Sequence, residues 1–152
     1  MRRPDFQIGP LGDPYLQRWY IIPRNRVFCV YLHRMLHDDD GRALHDHPGA
    51  NVSVILRGGY DEVMFEWSPD EGYPLPSTIV RWRRPGRVVF RWARTAHRLA
   101  LPAGVSESWS LFIMFPKLRD WGFWCGGLAA RWVRWQDFTA GERGEFVGKG
   151  CG

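Results

Sequence analysis

The sequence predicts an all-β protein whose strands close into a barrel or a double-sheet jelly roll. Proline or glycine interrupts the chain roughly every 10–15 residues, and the runs between them are rich in valine, isoleucine and aromatic residues. No apolar stripe with helical spacing persists along the chain. Short strands with hairpin-length connections leave unpaired sheet edges, and closure into a barrel removes those edges.

The first half of the chain contains four predicted strands, at residues 19–22, 27–36, 52–56 and 61–67. Each is a run of β-branched and aromatic residues, the composition that suits a half-buried pleated surface. The third run is followed by Gly58-Gly59, a pair that predicts a tight turn or bulge with positive φ. A turn at that point would join the third and fourth strands as a hairpin.

The second half contains four further predicted strands, at residues 78–83, 88–92, 97–101 and 108–115. Pro85-Gly86 separates the first two of these, and Pro102 and Pro116 follow the last two. Residues 135–139 are predicted to form a single helical turn before a Gly-rich tail. The tail, residues 140–152, is expected either to remain mobile or to pack over the barrel mouth.

Length and composition predict one domain. The 152 residues, with a mass of 17.7 kDa, suffice for a sizeable core. Hydrophobic residues make up 45% of the chain, which excludes a disordered protein, and charges interrupt the apolar runs, which excludes a membrane span. The predicted domain covers residues 1–152, with its core at about 27–115 and a Trp-rich and Gly-rich C-terminal extension at about 116–152.

The cysteines and the N-terminus together predict a cytoplasmic protein. Cys29, Cys125 and Cys151 are odd in number, far apart and without a CxxC pair, so we expect reduced thiols rather than a disulfide framework or a thiolate zinc site. The N-terminal residues are basic but lack the apolar stretch of a secretory signal.

Three histidines form the strongest functional signal. Alternate residues of a strand share a face, so His45 and His47 point to one side while Asp46 points to the other. A third ligand is offered by His97, since a neighbouring antiparallel strand would bring it close. His33 is interpreted as a hydrogen-bonding surface residue and is not included. The pattern predicts a metal site formed by His45, His47 and His97.

These residues resemble the two motifs of the cupin superfamily, small β-barrels that hold a metal ion inside. His45 and His47 match the His-x-His pair of the first motif, and Gly58 matches its closing glycine. Gly86 and His97 match the glycine and the histidine of the second motif at the right separation. The resemblance, which covers residues 27–115, implies a cupin-type jelly-roll barrel.

The resemblance also implies a particular kind of metal centre. Asn51, or Val52 in the longer spacing of the motif, occupies the position of the first-motif glutamate, so the implied site has three histidine ligands and no carboxylate. Such a set is similar to that of the cupin thiol dioxygenases, in which a non-haem iron binds substrate and oxygen. Imidazole suits several divalent metals, so iron is preferred here while zinc, manganese and nickel remain open.

A rival ligand set combines His37, Asp39 and His97, because His-x-carboxylate spacing is typical of iron oxygenases with two histidines and one carboxylate. The same stretch, "HDDDGR", also has the composition of a polar turn between strands, and that interpretation is preferred.

Further candidates surround the predicted metal. Tyr60 is a candidate to donate a hydrogen bond to a metal-bound ligand. Asn51 and Ser53 are an even number of residues from His45 and His47, so in a regular strand they would point to the same face. They are candidate substrate-binding residues, together with Arg91. An inward Arg91 or Arg98 would favour an anionic substrate, because guanidinium pairs bidentately with carboxylate.

Three functions remain open. The leading hypothesis is a metal-dependent enzyme acting on a small molecule, an oxygenase with iron or a hydrolase or isomerase with zinc or manganese. The second is a non-catalytic small-molecule binder or sensor. The third is a single-stranded nucleic-acid-binding barrel, suggested by the net charge of +5 and by the interleaved arginines and tryptophans of residues 81–98. The Trp-rich residues 121–135 further predict a homodimer or an intramolecular cap.

Overall fold

The computed structural model describes residues 2–39, 43–67, 70, 74–126 and 131–152. Its elements are β-strands and one short helix, and the described part contains no helix long and apolar enough to cross a membrane. In chain order they are β1 (Phe6–Ile8), β2 (Leu16–Ile22), β3 (Cys29–Met35), β4 (Leu44–His45), β5 (Asn51–Arg57), β6 (Tyr60–Trp67), β7 (Pro74–Arg83), β8 (Val88–Arg91), β9 (His97–Ala100), β10 (Ser108–Met114), β11 (Gly122–Cys125), β12 (Arg131–Arg134), α1 (Trp135–Phe138), β13 (Thr139–Ala140) and β14 (Phe146–Val147).

The strands form two six-stranded antiparallel sheets and one small hairpin. The first sheet has the order β1-β2-β3-β10-β5-β8, the second has the order β12-β11-β4-β9-β6-β7, and β13 pairs with β14. All eight strands predicted from the sequence are present, with ends shifted by a few residues, and the predicted helical turn is α1. The predicted all-β jelly-roll architecture is confirmed.

The turn between β5 and β6 illustrates how glycine permits this arrangement. Gly58 and Gly59 both have positive φ, at 78° and 88°, as the sequence predicted. A Cβ atom added to Gly58 would lie 2.1 Å from the carbonyl oxygen of Glu107, so the backbone of the loop before β10 approaches too closely for any side chain. The hairpin therefore depends on glycine at this position for both its conformation and its packing.

The two sheets enclose a cavity of about 970 Å³, which is lined by inward-facing side chains of both. Apolar packing is divided into small clusters around this cavity rather than gathered in one continuous core. One such cluster joins Tyr31 and Phe112, and another joins Phe123 to Phe138, whose rings stack with their centroids 3.7 Å apart. The interior therefore holds space for a ligand as well as a core.

The C-terminal segment packs against the barrel. Trp121 stacks on Trp135, and residues of α1 and of the tail line the same cavity as the histidines. The backbone carbonyl of Glu145 accepts a hydrogen bond of 2.8 Å from the amide of Gly9. The tail therefore forms part of the cavity wall, one of the two outcomes expected from the sequence.

The expectation of three reduced thiols is wrong. Cys125, at the end of β11, forms a disulfide with Cys151 near the end of the tail, and only Cys29 of the three is a free, buried thiol. The two cysteines are 26 residues apart in the chain, and the fold brings their Cα atoms to 5.5 Å. Sequence spacing gave no indication of this pairing because the contact depends on how the tail returns to the barrel. The cytoplasmic location stays a prediction.

Candidate metal centre

The three predicted histidines converge inside the cavity. His45 ends β4 and lies directly opposite His97, the first residue of β9, so the expected antiparallel neighbourhood is confirmed. His47 follows β4, where its backbone amide donates a hydrogen bond of 3.0 Å to the carbonyl of Ala93. The ring centroids are 4.9 to 5.1 Å apart, and one nitrogen from each ring lies within 4.8 Å of the other two.

Carboxylates hold two of the rings in the orientation that a metal requires. The Nδ1 of His97 lies 2.6 Å from Oε1 of Glu62, and the Nδ1 of His45 lies 3.0 Å from Oδ2 of Asp39. A carboxylate accepts the Nδ1 proton, which leaves the lone pair of Nε2 free to bind a metal. The Nε2 atoms of His47 and His97 face each other at 2.9 Å.

Burial keeps two of these rings neutral. Desolvation lowers the pKa of His47 well below its usual range, and the neighbouring His45 and His97 lower it further. Burial, followed by the charge of Arg91, lowers the pKa of His97 to about 4, although Glu62 opposes the shift. Neutral imidazole is the form that ligates metals, so both rings are ready to bind without losing a proton.

Neighbouring groups shift the pKa of His45 upward and that of Glu62 downward. Burial lowers the pKa of His45, but the charge and hydrogen bond of Asp39 outweigh that effect, so the net shift is upward. Burial would raise the pKa of Glu62, yet its hydrogen bond from His97 and the charge of Arg91 hold the pKa far below the ordinary value. The charged Glu62 would offset part of the charge of a divalent cation held between the rings.

The donor set therefore fits a divalent metal. Three imidazole nitrogens on one face of a barrel interior suit iron, zinc, copper and nickel, and the open side of the cluster faces the cavity. Asn51 is fully buried, and its Nδ2 has no hydrogen-bond partner among the described residues. A buried donor left without a protein partner is consistent with a ligand or water in the site.

Arg91 lies in a network behind the cavity surface. It is 3% exposed, and its Nε donates to Glu62, its Nη1 to Oγ of Ser53 at 2.9 Å, and its Nη2 to Oη of Tyr60 at 3.1 Å. Ser53 and Tyr60 line the cavity. The predicted substrate-binding role of Arg91 stays a prediction, and its donors are used by protein groups in this structure. Arg98 alternates with His97 along β9 and so faces the other side of its sheet.

Asp46 anchors the strand that carries the histidine pair. Its side chain is fully buried and accepts hydrogen bonds from the backbone amide of Gly122 at 2.9 Å and from the indoles of Trp124 and Trp132 at 3.2 and 3.0 Å. Arg119 completes the set with an ion pair of 2.9 Å. The residue between the two histidines therefore ties β4 to the Trp-rich segment, a contact that the sequence did not predict.

The rival ligand set does not assemble among the described residues. His37 is exposed and contacts Asp13 at 2.7 Å, whereas Asp39 is buried beside His45. Asp39 therefore supports a candidate ligand instead of joining His37. His33, which the sequence suggested was a surface residue, lines the cavity, so that interpretation is wrong.

No protein-family model and no curated protein matches the sequence. Similarity is found among solved structures. A conserved protein with a double-stranded β-helix domain from Klebsiella pneumoniae is 14% identical with a TM-score of 0.54, over 77% of this chain and 90% of that chain. Fe(II)-HppE, solved with the alternative substrate (S)-1-HPP, is 13% identical with a TM-score of 0.56, over 75% of this chain and 56% of that chain.

DMSP lyase DddQ from Ruegeria pomeroyi is 20% identical with a TM-score of 0.49, over 69% of this chain and 49% of that chain. The chain thus spans about half the length of DddQ and little more than half of HppE. At such identities the likeness concerns the fold alone, and the Klebsiella pneumoniae neighbour contains a double-stranded β-helix domain.

Proposed function

We propose that this cupin-fold chain is a metal-dependent enzyme acting on a small molecule, with His45, His47 and His97 as the ligands of one divalent ion. The observation that carries the proposal is the convergence of three imidazoles at a cavity, two of them oriented by carboxylates. Carboxylate–histidine–metal arrangements are a recurring feature of metal sites. A cavity of about 970 Å³ is large enough for a small-molecule ligand beside the ion.

Iron is the proposed metal. The donor set does not select it, since imidazole also binds zinc, nickel and copper, but a protein with the same fold, HppE, was solved with Fe(II). Bound iron would supply redox chemistry with dioxygen, whereas zinc or manganese would supply a Lewis acid for hydrolysis or isomerisation.

Tyr60 is the proposed hydrogen-bond donor to the substrate. Its hydroxyl oxygen accepts a hydrogen bond from Arg91, so its own proton remains available for another acceptor. The side chain lines the cavity although it is only 2% exposed, and Ser53, held by the same arginine, lines it nearby. Arg91 therefore fixes two hydroxyls, and we propose that these orient the bound molecule.

An enzyme and a non-catalytic binder would use the same residues, so a turnover measurement separates them. Protein loaded with Fe(II), Mn(II) or Zn(II) is mixed with a panel of small molecules, and oxygen uptake and substrate loss are followed. The enzyme proposal predicts conversion that requires His47 and disappears in His47→Ala. Metal-dependent binding without conversion of any panel member would favour the binder or sensor instead.

The Trp-rich segment packs on its own barrel, so we propose that a homodimer would instead form through exposed apolar side chains on β7 and next to β8. Val88 and Phe90 alternate along the outer face of β8 and Trp92 directly follows that strand, and the three side chains are 64%, 51% and 70% exposed. Trp82 on β7 is 47% exposed. Both strands lie at sheet edges, where another chain can pair. A two-fold contact would cover this patch in both copies. Sedimentation that gives a mass near 17.7 kDa at micromolar concentration would reject the dimer.

The same face is the surface that a single-stranded nucleic acid would use, because the exposed Arg84 and Arg87 lie in the connection between β7 and β8, next to the strands that carry these aromatics. Stacking of bases on aromatic rings, with phosphates on arginines, predicts binding that weakens steeply as salt is raised. Titration with labelled oligonucleotides at low salt tests this candidate, and the absence of binding would remove it.

A further inference from the structure

We infer that Arg18 binds the acidic group of the small molecule that occupies the histidine-lined cavity. The inference rests on the proposed function in one respect, namely that the small molecule binds in this cavity. It adds the chemical class of that molecule and a binding residue remote in sequence from the three histidines.

Arg18 lies in a polar row on the inner face of the first sheet. It is opposite His33 on β3, and His33 is opposite Ser110 on β10. All three side chains line the cavity. On one side of this row, Leu16 lies opposite Met35, and on the other side the paired residues are aromatic. Arg18 is therefore a charged side chain between apolar neighbours on this face of the sheet.

Arg18 has no carboxylate within ion-pair distance among the described residues. Its Nε donates a hydrogen bond of 2.9 Å to Nε2 of His33, and its guanidinium carbon lies 4.7 Å from the ring centroid of Tyr31 and 5.7 Å from that of Phe6. Aromatic faces and a neutral imidazole attract a cation without cancelling its charge. The terminal nitrogens make no hydrogen bond to a described residue, so this end of the guanidinium is available to a ligand.

Most other partly or fully buried arginines in the described residues pair with a carboxylate, Arg98 on β9 being the exception. Arg34 pairs with Glu107, and Arg83 and Arg91 both pair with Glu62. Enclosure by the barrel lowers the pKa of Arg18, which shows that its surroundings disfavour the charge. An enclosed cation without an anion is unfavourable unless a partner arrives, and an anionic ligand is such a partner.

His33 positions the guanidinium. Burial, with the charge of Arg18, lowers the pKa of His33 well below its usual range, so the ring is neutral and its Nε2 accepts the Nε proton. A guanidinium fixed through Nε presents its two terminal nitrogens as a planar fork, the geometry that matches carboxylate or phosphonate oxygens.

The distance to the metal site limits the size of the ligand. The ring of His33 stacks on Phe112 with centroids 5.1 Å apart, and Phe112 lies 5.6 Å from the ring of His47. One aromatic ring thus separates the guanidinium and its histidine partner from the candidate ligands. A short organic acid would place its oxyanion on Arg18, its apolar segment along Phe112 and its other end at the histidines.

The test measures binding of butyrate and propylphosphonate, with neutral butyramide as the matched probe, by calorimetry on metal-loaded and metal-free protein. Wild-type protein should bind at least one of the two anions, and butyramide at least about tenfold more weakly. Arg18→Met should weaken anion binding by at least about tenfold while the metal content is unchanged. Arg87→Met, which removes the same charge from an exposed turn, should leave anion affinity within about twofold of wild type.

Arg18→Lys provides a second variant that keeps the charge but not the planar fork, and it should lose affinity to a lesser degree than Arg18→Met. His33→Phe, a positioning variant, should weaken the anions while leaving butyramide affinity unchanged. Equal anion affinity in wild type, Arg18→Met and Arg18→Lys, or no binding of either anion to wild type, would overturn the inference. If the protein binds no metal but still binds the anions in a way that depends on Arg18, the inference about Arg18 is supported. The same result would reject the proposed metal site.

Discussion

His47 and His97 present their Nε2 atoms to each other at 2.9 Å. Two nitrogens bound to one metal at about 2.1 Å would be separated by about 3.0 Å at a right angle and by about 3.4 Å at the tetrahedral angle. The observed separation between His47 and His97 is nearer to the right-angle value. We propose that the three histidines would take one face of an octahedrally coordinated ion and would leave the opposite positions open to exogenous ligands.

This geometry predicts the spectrum of cobalt-substituted protein. Co(II) bound at the three histidines should be five- or six-coordinate, with water in the open positions, and should give weak visible absorption. Addition of butyrate should perturb the bands if the anion reaches the ion. An intense visible spectrum typical of four-coordinate cobalt would contradict the octahedral arrangement.

Glu62 should control metal affinity through His97. Glu62→Gln removes the charge that accepts the Nδ1 proton, at 2.6 Å, and loss of such a partner typically weakens metal binding by about 10–100-fold. Affinity is measured by competition with a chelator of known strength. Glu66→Gln on the same strand provides the control, because Glu66 is exposed and contacts Ser77 rather than a histidine.

Glu62 also pairs with Arg83 and Arg91, so its replacement removes support from two buried cations. Asp39→Asn gives an independent variant, since Asp39 acts on His45 through a separate contact. Like Glu62→Gln, Asp39→Asn should weaken metal binding. If both variants fold and retain wild-type affinity, the carboxylates do not orient metal ligands.

Asp46 should govern the stability of the barrel. Asp46→Ala leaves Arg119 and two indole groups without their buried acceptor, and removal of one partner from such a set costs about 3 kcal/mol or more. Chemical denaturation should show that loss in the free energy of unfolding. Asp120→Ala breaks a more exposed pair with Arg134 and should cost about 1 kcal/mol or less, and a similar loss in both variants would contradict the anchoring role.

Asn51→Glu tests the register of the first cupin motif. A carboxylate at this buried position would add an anionic oxygen ligand, which hard cations prefer, so affinity for Mn(II) should rise relative to wild type. Titration calorimetry with Mn(II) gives the comparison. Unchanged Mn(II) affinity in a folded variant would mean that position 51 does not reach the metal.

The sequence was sufficient to predict the strands and the histidine cluster because both depend on local periodicity. Side chains at 45 and 47 share a face when the backbone between them is extended, and a strand that begins at 97 can lie beside them. The short strands β1, β4, β11, β12, β13 and β14 were not predicted, since two to four residues carry little periodicity and none of these runs lies in a longer β-branched stretch as β8 does.

The groups that support the site escaped sequence reasoning for a different reason. Glu62 contacts His97 across 35 residues, and Asp46 contacts Trp132 across 86. An acidic residue in a strand can equally face solvent, and only the pairing of β6 with β9 identifies Glu62 as a partner of the site. Arg18 and His33 lie in unremarkable strand sequence, and their importance follows from the cavity that the two sheets enclose.

The metal content of protein purified without an affinity tag tests the central claim most directly. Elemental analysis should find one divalent ion per chain in the wild type and in His37→Ala, whose ring is exposed and paired with Asp13. The His47→Ala and His97→Ala variants should remain folded, because the metal lies in a preformed cavity, and should contain almost no metal after the same preparation. Equal metal content in all four proteins would contradict the three-histidine site.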